Sequence, residues 1–506
     1  MALFIGIDIG TTHVKVIAAD EFSAIICDEK NAYTLYQPGN GFCEQDADEI
    51  FNALLITLKR VIVKINPADI KTVCFSAAFH SIMAVDHKGQ PLTPLLTWAD
   101  TRATAYAKEL KRTGEGITIY AKTGTPIHPM SPLCKIAWIR DQLPDLFART
   151  HKFISVKEYA WYRLFGKFQV DYSMASATGL FDSNNLTWCD EALHFCGAGT
   201  QLFSEPVSVM HAETDLNEQY RDELNLPRNI LFITGAGDGA MANLGVGAIV
   251  PGIAALTIGT SGAIRTVTDV AIPDKKGRLF NYLLTDKLYI NGGGTNNGGI
   301  VLQWFANTFL DKEPGAEIDY DWFFEEIRSV PAGAGGLIFL PYILGERAPV
   351  WDAEAKGAFI GIRATHTRKH FMRAVIEGVC FSLLQLLETI EEKTAIDSIY
   401  VTGGVTRSPL WLQMLADILN KKIRVVNSAD ASAMGVVYLG MYASGFINDW
   451  NDIKKFALSE TGYSPDTAQK NLYQTNIGIF RHLYDKLKDD FELLSHPEHS
   501  IQNKTR

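Results

Sequence analysis

The chain has 506 residues, more than one hydrophobic core holds comfortably, so we expect two large domains. Its 47 basic and 57 acidic residues leave a net charge of −10, and no long run of lysine or arginine is present, which argues against a nucleic-acid or membrane-surface partner. The seven cysteines form no CxxC pair, so their spacing predicts neither a zinc site nor a disulfide framework.

The N-terminus leads directly into a strand pattern without a basic leader segment. No apolar stretch reaches the roughly 18 residues that a membrane helix needs. We therefore expect a cytoplasmic protein that is neither exported nor membrane-spanning. The polar segment after Leu494 is the one part of the chain expected to be disordered.

The first predicted feature is a strand, a turn and a second strand over residues 4–20, FIGIDIGTTHVKVIAAD. Small side chains in such a turn let backbone N–H groups and hydroxyls converge on an anion, which makes Thr11 and Thr12 candidate phosphate ligands. Asp8 ends the first strand, where a carboxylate can hold Mg²⁺ through its water molecules. The alternative is that Asp8 only caps the turn.

The same pattern returns at 253–269, IAALTIGTSGAIRTVTD, with Gly259, Thr260 and Ser261 in its turn. One glycine-rich hairpin is weak evidence for a function. Two in matching contexts, about half a chain apart, predict a duplicated architecture in which both turns contact one polyphosphate.

Between the hairpins, helix-like and strand-like segments alternate, so the first half of the chain is predicted to be α/β. Glycines and Pro251 within 242–252 mark a boundary. This boundary predicts two domains, residues 1–246 and 247–506.

Segment 233–247 has the pattern of a strand, a glycine-rich turn and a helix around one acidic residue, Asp238. A carboxylate at the end of a strand can accept the proton of an attacking hydroxyl during phosphoryl transfer. A dinucleotide site is the other interpretation of these glycines, but no βαβ unit with an acidic ribose ligand follows.

Three segments of the second half complete the pattern. Residues 291–305 form a glycine turn into a helix N-terminus, which favours phosphate, although a tight turn with an Asn cap is the alternative. Residues 368–391 carry apolar side chains at helical spacing before a strand. In 400–419, Gly403 and Gly404 join a strand to a helix and can let a flat adenine lie against the backbone.

Two longer stretches, MSPLCKIAWIRDQ at 130–142 and GAFIGIRATHTRKHFMRAVIE at 357–377, resemble the signatures of the FGGY carbohydrate kinases. These enzymes are members of the actin-like, ribonuclease-H-like ATPase superfamily. The resemblance spans nearly the whole chain and implies an α/β fold with two duplicated domains and a central cleft between them. A homodimer is compatible with it.

The resemblance implies ATP and Mg²⁺ as cofactors, with Asp238 as the catalytic base and Asp8 and Asp238 as metal ligands. Ser408 stands where some members of the family have asparagine, so its contact with adenine is left open. The cofactor-binding residues that the resemblance implies are Thr11, Thr12, Gly259, Thr260, Ser261, Gly299, Gln303, Gly403, Gly404 and Ser408.

The resemblance also places a sugar pocket in the first half of the chain. Aromatic rings can cover the apolar face of a carbon chain, while carboxylate and guanidinium groups bind hydroxyls or a sugar acid. The alternatives are that Trp98 belongs to the core, that Asp100 and Arg102 form a surface ion pair, and that His80 is structural. The implied substrate-binding residues are Phe79, His80, Trp98, Asp100, Arg102, Met130 and Asp238.

The details around TWADTR, TNNGG and PYILGERAPVWD are similar to the family members that phosphorylate gluconate, with those that act on xylulose as the closest rival. Arg102 and Lys135 are candidate partners for a sugar-acid carboxylate. A different class, an actin-like or chaperone-like ATPase that acts on protein partners, would share both hairpins. The sugar-pocket stretches and Asp238 favour the kinase.

Overall fold

The computed structural model describes residues 1–310, 319–426, 430–453 and 458–495, so most of the polar segment after Leu494 lies outside the described residues. The chain forms two compact units, each of which is built from three segments of the sequence. The first unit comprises Met1–Ile249, Val267–Asn291 and Asp430–Ala457, and the second comprises Val250–Thr266, Gly292–Ala429 and Leu458–Arg506.

The elements are numbered in chain order. The strands are β1 (Leu3–Ile9), β2 (His13–Asp20), β3 (Ile25–Ala32), β4 (Glu44–Gln45), β5 (Ile70–Ala77), β6 (Met83–Val85), β7 (Leu95–Leu96), β8 (Lys152–Ile154), β9 (Gln169–Asp171), β10 (Phe181–Asp182), β11 (Thr187–Trp188), β12 (Glu205–Val207), β13 (Ala212–Glu213), β14 (Leu231–Gly237), β15 (Ile253–Ile258), β16 (Gly262–Thr268), β17 (Phe280–Leu283), β18 (Tyr289–Thr295), β19 (Ile338–Pro341), β20 (Gly357–Ile360), β21 (Ser398–Gly403), β22 (Lys422–Val426) and β23 (Leu458–Tyr463). The α-helices are α1 (Ala47–Ile62), α2 (Thr104–Thr113), α3 (Glu115–Thr123), α4 (Pro132–Gln142), α5 (Pro144–Arg149), α6 (Val156–Phe165), α7 (Tyr172–Ser176), α8 (Asp190–Cys196), α9 (Glu218–Leu224), α10 (Asp238–Gly245), α11 (Gly299–Phe309), α12 (Tyr320–Arg328), α13 (Arg368–Glu391), α14 (Pro409–Leu419), α15 (Ala431–Ala443) and α16 (Lys470–Ser495).

The main sheet of the first unit has the strand order β13-β14-β5-β1-β2-β3. The hairpin β1–β2 is antiparallel, and β5 and β14 run parallel to β1. The apolar side chains of β1 are fully buried, as expected for a central strand that is covered on both faces. The register sets Ile9, Ala77 and Gly237 side by side, so the carboxyl ends of β1, β5 and β14 meet at one edge of the sheet.

The second unit repeats this plan. Its sheet contains the consecutive strands β18-β16-β15-β21-β22-β23. The hairpin β15–β16 is antiparallel, β21 runs parallel to β15, β22 runs parallel to β21, and β23 is antiparallel to β22. Each hairpin is therefore followed by the same pairings in its own unit, which confirms the predicted duplication.

Helix α10 packs backbone to backbone against α15 inside the first unit. A Cβ atom on Gly245 would lie 1.8 Å from the carbonyl oxygen of Ala431, and one on Gly435 would lie 1.9 Å from that of Met241. Only glycine permits such an approach. Helix α10 begins with Asp238, so this contact fixes the helix that carries the predicted base.

Helix α13 has the bounds predicted from its apolar spacing, and the predicted strand follows it as β21. It is long and apolar enough to cross a membrane, but most of its length is buried in the second unit, as in the core helix of a globular protein. All seven cysteines lie in the described residues and are free thiols.

Candidate active site

Asp8 lies near the carboxyl end of β1, and its carboxylate is held by two hydroxyl groups. One oxygen accepts a hydrogen bond from Ser76 on the neighbouring strand β5, and the other accepts one from Ser432 Oγ at 2.6 Å, in the first turn of α15. Within the described residues these hydroxyls, and not the N–H groups of the turn, are its partners. The carboxylate is thus oriented at the sheet edge rather than used to cap the turn.

The turn after β1 brings Trp98 next to the predicted phosphate ligands. The Trp98 indole N–H donates to Thr11 Oγ1 at 2.9 Å, and the Gln45 amide donates to the Thr11 carbonyl oxygen at 2.7 Å. Thr12 Oγ1 lies 3.0 Å from Nδ1 of His13. Trp98 is 36% exposed, so it is not a core residue.

Asp238 follows β14 directly and is the first residue of α10. It is half-buried, and its Oδ1 accepts the N–H of Gly239 at 2.6 Å. A Cβ atom on Gly237 would lie 2.0 Å from the ring of Phe79. Glycine at this position therefore lets the Phe79 ring lie against the end of β14, immediately before Asp238.

His80 has a left-handed backbone conformation with φ of 67°, which is strained for a residue with a side chain. Its Nδ1 lies 2.8 Å from the carbonyl oxygen of Ala177. Its ring and that of Phe79 pack against Tyr282, with centroid separations of 5.7 and 5.2 Å. Tyr282 comes from a distant part of the sequence, and no local pattern there predicts its place in this cluster.

Lys135 on α4 connects two of the predicted substrate-binding loops. Its ammonium group donates to the carbonyl oxygens of His80 at 2.8 Å and Thr97 at 2.7 Å. The side chain is fully buried, and burial lowers the pKa of its amine to about 7. Lys135 therefore ties the loop of His80 to the loop of Thr97. Met130, just before α4, is also buried.

Arg102 and Asp100 form an ion pair. The sequence analysis considered a surface ion pair as one alternative, but both side chains of this pair are buried. Arg102 donates to Asp100 at 2.7 to 3.0 Å and to Glu44 at 2.5 Å. Asp100 also accepts the N–H of Cys43 at 2.8 Å and is fully buried. The guanidinium lies 4.0 Å from the ring centre of Phe42. Two carboxylates therefore already balance its charge.

The second unit contains a cavity of about 320 Å³ built from the turn of its own hairpin, the start of α11 and the link from β21 to α14. It brings together six of the residues predicted to bind the nucleotide, namely Gly259, Thr260, Gly299, Gln303, Gly404 and Ser408. Ser261 and Gly403 are the chain neighbours of these lining residues. Its other lining residues are Ile258, Ile300, Tyr320, Phe324, Val405, Arg407 and Trp411.

The start of α11 is tied to the hairpin turn. The N–H groups of Gly299 and Ile300 donate to the carbonyl oxygens of Gly259 at 2.7 Å and Thr260 at 3.1 Å. These two N–H groups at the helix N-terminus thus hold the hairpin turn in place. The N-cap is Gly298, so the Asn-cap alternative does not apply.

Ser408 and three aromatic side chains line the cavity, but only Ser408 was among the residues predicted from the sequence. Ser408 Oγ accepts the N–H of Trp411 at 3.3 Å, so it caps α14. The aromatic side chains of Tyr320, Phe324 and Trp411 complete the cavity. They were not predicted from the sequence, since apolar residues at helical spacing predict only a buried face.

Asp8 and Asp238, the two carboxylates that would hold Mg²⁺, lie at the carboxyl ends of β1 and β14. Mg²⁺ commonly keeps several water molecules and takes one or two carboxylates together with substrate phosphates. Within the described residues no group of three or more His, Cys, Asp or Glu side chains forms a metal cage. Two oriented carboxylates suit an ion that is bound largely through water and phosphate.

Comparison with known proteins gives matches along nearly the whole chain. Residues 3–245 match the N-terminal domain of the FGGY family of carbohydrate kinases, and residues 254–444 match its C-terminal domain. The chain belongs to the FGGY family of carbohydrate kinases. This membership confirms the resemblance found in the sequence, and with it the two-domain, actin-like fold.

Individual relatives align with this FGGY kinase over nearly the full length of both chains. It is 37% identical over 494 residues to a gluconokinase of Bacillus subtilis, with 96% of each chain covered. The crystal structure of a gluconate kinase from Lactobacillus acidophilus superposes with a TM-score of 0.94 at 31% identity, covering 97% of this chain and 99% of that one. A ligand-bound xylulose kinase from the same organism gives 0.93 at 31% identity, with 98% and 100% covered.

The FGGY kinase is therefore an enzyme that phosphorylates a small carbohydrate with ATP as the donor. The alternative was an actin-like or chaperone-like ATPase that acts on protein partners, which would share the hairpins. The family matches indicate a carbohydrate kinase instead.

The buried amine of Lys135 predicts a pH-dependent stability. Its pKa in the folded chain is lowered to about 7, whereas an unfolded lysine titrates near 10.5. Between pH 7 and 9 the unfolded chain thus binds more protons, so the folded state gains stability as pH rises. We expect wild type to gain about 2 kcal/mol relative to Lys135→Met over this range, seen by calorimetry as a rise of roughly 2–3 °C in relative Tm.

Lys122→Met serves as the control for this measurement. The exposed Lys122 ammonium hydrogen-bonds Glu191, which raises its pKa, so it is protonated in both states between pH 7 and 9. Its Tm difference from wild type should not change with pH. A pH-independent difference for Lys135→Met as well would mean that the buried amine keeps its proton throughout this range.

Proposed function

We propose that this FGGY kinase transfers the γ-phosphoryl group of ATP to the terminal hydroxyl of D-gluconate and forms 6-phospho-D-gluconate. The observation that carries the choice of substrate is its 37% identity to the Bacillus subtilis gluconokinase over nearly the whole of both chains. D-xylulose is the second candidate, because the superpositions on the gluconate and xylulose kinases of Lactobacillus acidophilus have almost equal TM-scores of 0.94 and 0.93.

The acceptor would bind on the first unit, at the sheet edge that carries Asp238. The Phe79 ring lies against the backbone beside Asp238, and the half-exposed Trp98 ring contacts Thr11 of the turn. Rings placed in this way can cover the C–H face of a polyol while its hydroxyls point to polar groups. This arrangement supports Phe79, His80 and Trp98 as the residues that orient the sugar.

The nucleotide would bind to the second unit, with adenine in the cavity of about 320 Å³ and its phosphates toward Thr260 and Ser261. The cavity is mainly apolar and aromatic and offers a few polar groups, such as Gln303 and Arg407, as small-molecule sites usually do. Asp8 and Asp238 would hold Mg²⁺, which when bound neutralises the charge of the phosphate oxygens.

In the proposed reaction, the Asp238 carboxylate accepts the proton of the attacking hydroxyl. The oxygen forms a bond to the γ-phosphorus as the bond to the bridging oxygen of ADP breaks. The proton stays on Asp238 until it is lost to solvent after the products leave. A cytoplasmic location and a homodimer, both considered from the sequence, stay predictions.

Asp238→Asn tests the base. The amide keeps the size of the side chain but cannot take up the proton, so we expect kcat to fall by roughly 10²- to 10⁴-fold. The Kd of Mg·ATP should change little, because Asp8 and the phosphates would still hold the ion. Turnover is measured by coupled ADP release at saturating substrate, and nucleotide binding by calorimetry.

Asp145→Asn is the matched control, because Asp145 is an exposed aspartate of the same unit, on α5. It should retain the activity of wild type. Near-normal turnover in Asp238→Asn would remove this residue from the role of base and would leave the family assignment intact.

Substrate choice is tested with the same assay across D-gluconate, D-xylulose, L-ribulose and glycerol. We expect kcat/KM for gluconate to exceed that for each of the others by at least about tenfold, the effect of one well-placed polar contact. A preference for xylulose would contradict the gluconate proposal. ATP binding without ADP release on any polyol would instead count against the proposed reaction itself.

Arg102→Ala separates two roles for this residue. Because Asp100 and Glu44 already balance its charge, we expect the variant to lower kcat/KM for gluconate and xylulose by similar factors, through disorder of the loop. A loss at least about tenfold larger with gluconate would show that the guanidinium binds the sugar-acid carboxylate, since a charge-assisted bond is roughly twice as strong as a neutral one.

A further inference from the structure

The peptide bond between Ala236 and Gly237 lies at the end of β14, one residue before the peptide that joins Gly237 to Asp238, and side chains hold both of its polar ends. The ammonium group of Lys157 donates to the carbonyl oxygen of Ala236 at 3.0 Å. The N–H of Gly237 donates to Ser173 Oγ at 3.2 Å. This carbonyl and this N–H belong to one planar peptide unit, so the two contacts together fix its rotation about the chain.

Lys157 is in turn fixed by a buried carboxylate. Its ammonium group lies 2.7 Å from Asp171 Oδ2, and the two residues are only 4% and 1% exposed. The other oxygen of Asp171 accepts the N–H of Met174 at 3.0 Å and so caps α7, the short helix that carries Ser173. One carboxylate therefore anchors both side chains that hold the peptide.

We propose that the buried pair of Lys157 and Asp171 is a positioning device for Asp238. It sets the plane of the Ala236–Gly237 peptide and thereby helps to place the end of β14, from which Asp238 follows directly after the N-cap residue Gly237. Neither residue touches the reacting atoms. The proposal rests on the proposed role of Asp238 as general base.

The chemistry of the pair supports this role over a purely stabilising one. Taking two charges out of water is costly, and apolar residues of similar size often give equal or greater stability. A pair of apolar residues at positions 157 and 171 would fill the same space but could not bond the Ala236 carbonyl oxygen. Misplacement of a reacting group by about 1 Å can cost about 10²-fold in rate, so a fixed peptide plane has a direct effect on turnover.

The first test compares Lys157→Met with the double variant Lys157→Met/Asp171→Leu. The single variant leaves an unpaired buried carboxylate and should lower both Tm and kcat. The double variant removes both charges but also the cap of α7, so we expect Tm to recover in part while kcat stays about 10- to 100-fold below wild type and the Kd of Mg·ATP stays within about threefold. Recovery of kcat together with Tm would overturn the proposal, because the pair would then act only on stability.

Two further variants sharpen this test. Lys157→Arg keeps the charge and the donors and should recover part of the kcat that Lys157→Met loses. Lys152→Met is the matched control, since Lys152, like Lys157, donates to backbone carbonyl oxygens, but its acceptors are those of Gln201 and Phe203 at 2.7 Å, which lie outside β14. Its kcat should stay within about twofold of wild type, and an equal loss in both lysine variants would contradict a specific role for Lys157.

The second test asks whether Lys157 acts through Asp238. If it does, Lys157→Met should lower kcat by less than about twofold in an Asp238→Asn background, although it lowers kcat strongly in wild type. Multiplicative losses would overturn the proposal. Full activity of Asp238→Asn would reject the base itself, whereas an inactive Asp238→Asn with a fully active Lys157→Met would reject only the positioning role.

Discussion

The parallel register of β1, β5 and β14 is the constraint on which the candidate acceptor site depends. It sets Ile9, Ala77 and Gly237 side by side, so that the residues following each strand emerge at one edge. Asp8, the pair of Phe79 and His80, and Asp238 are separated by many residues in the chain but share this edge. Helix α15 completes the arrangement, because it supplies Ser432 to Asp8 and packs against α10 through glycine.

Three buried charged clusters of the first unit hold the backbone and the loops near this edge in place. Lys157 with Asp171 holds the end of β14, Lys135 joins the carbonyl oxygens of two loops, and Arg102 links Asp100 to Glu44. Unpaired charges in these places would be strongly unfavourable, whereas bonded ones allow few other arrangements. Burying these charged groups costs stability but restricts the conformations of the backbone around them, as expected around groups that must be aligned for a reaction.

Local patterns in the sequence predict the parts of the structure that depend on neighbouring residues. The two hairpins, the strand before Asp238 and helix α13 follow from glycine turns and apolar spacing within short windows. Duplication could also be predicted, because the hairpin sequence itself is repeated. Family resemblance supplied residues such as Gln303 and Gly404, which the structure brings to one cavity.

Contacts between distant segments could not be predicted in the same way. Tyr282 packs against Phe79 and His80 across about two hundred residues, and no periodicity reports such a pairing. The same limit applies to the return of 267–291 and 430–457 to the first unit. Arg102 shows a subtler case, since its sequence neighbour Asp100 indicated an ion pair but gave no sign that Glu44 and Phe42 would enclose it.

The bonding of these basic side chains also affects how the enzyme can discriminate a sugar acid from a neutral sugar. Lys135 and Lys157 are buried and bonded to protein oxygens, and Arg102 is balanced by two carboxylates. Among the residues considered for the sugar pocket, discrimination would then depend on neutral donors and on shape. One unpaired buried polar group costs about 1–3 kcal/mol, which corresponds to a preference of roughly 5- to 150-fold. A difference of that size depends on one or two contacts, whereas a TM-score averages over the whole chain, so kinases with nearly the same fold can prefer different sugars.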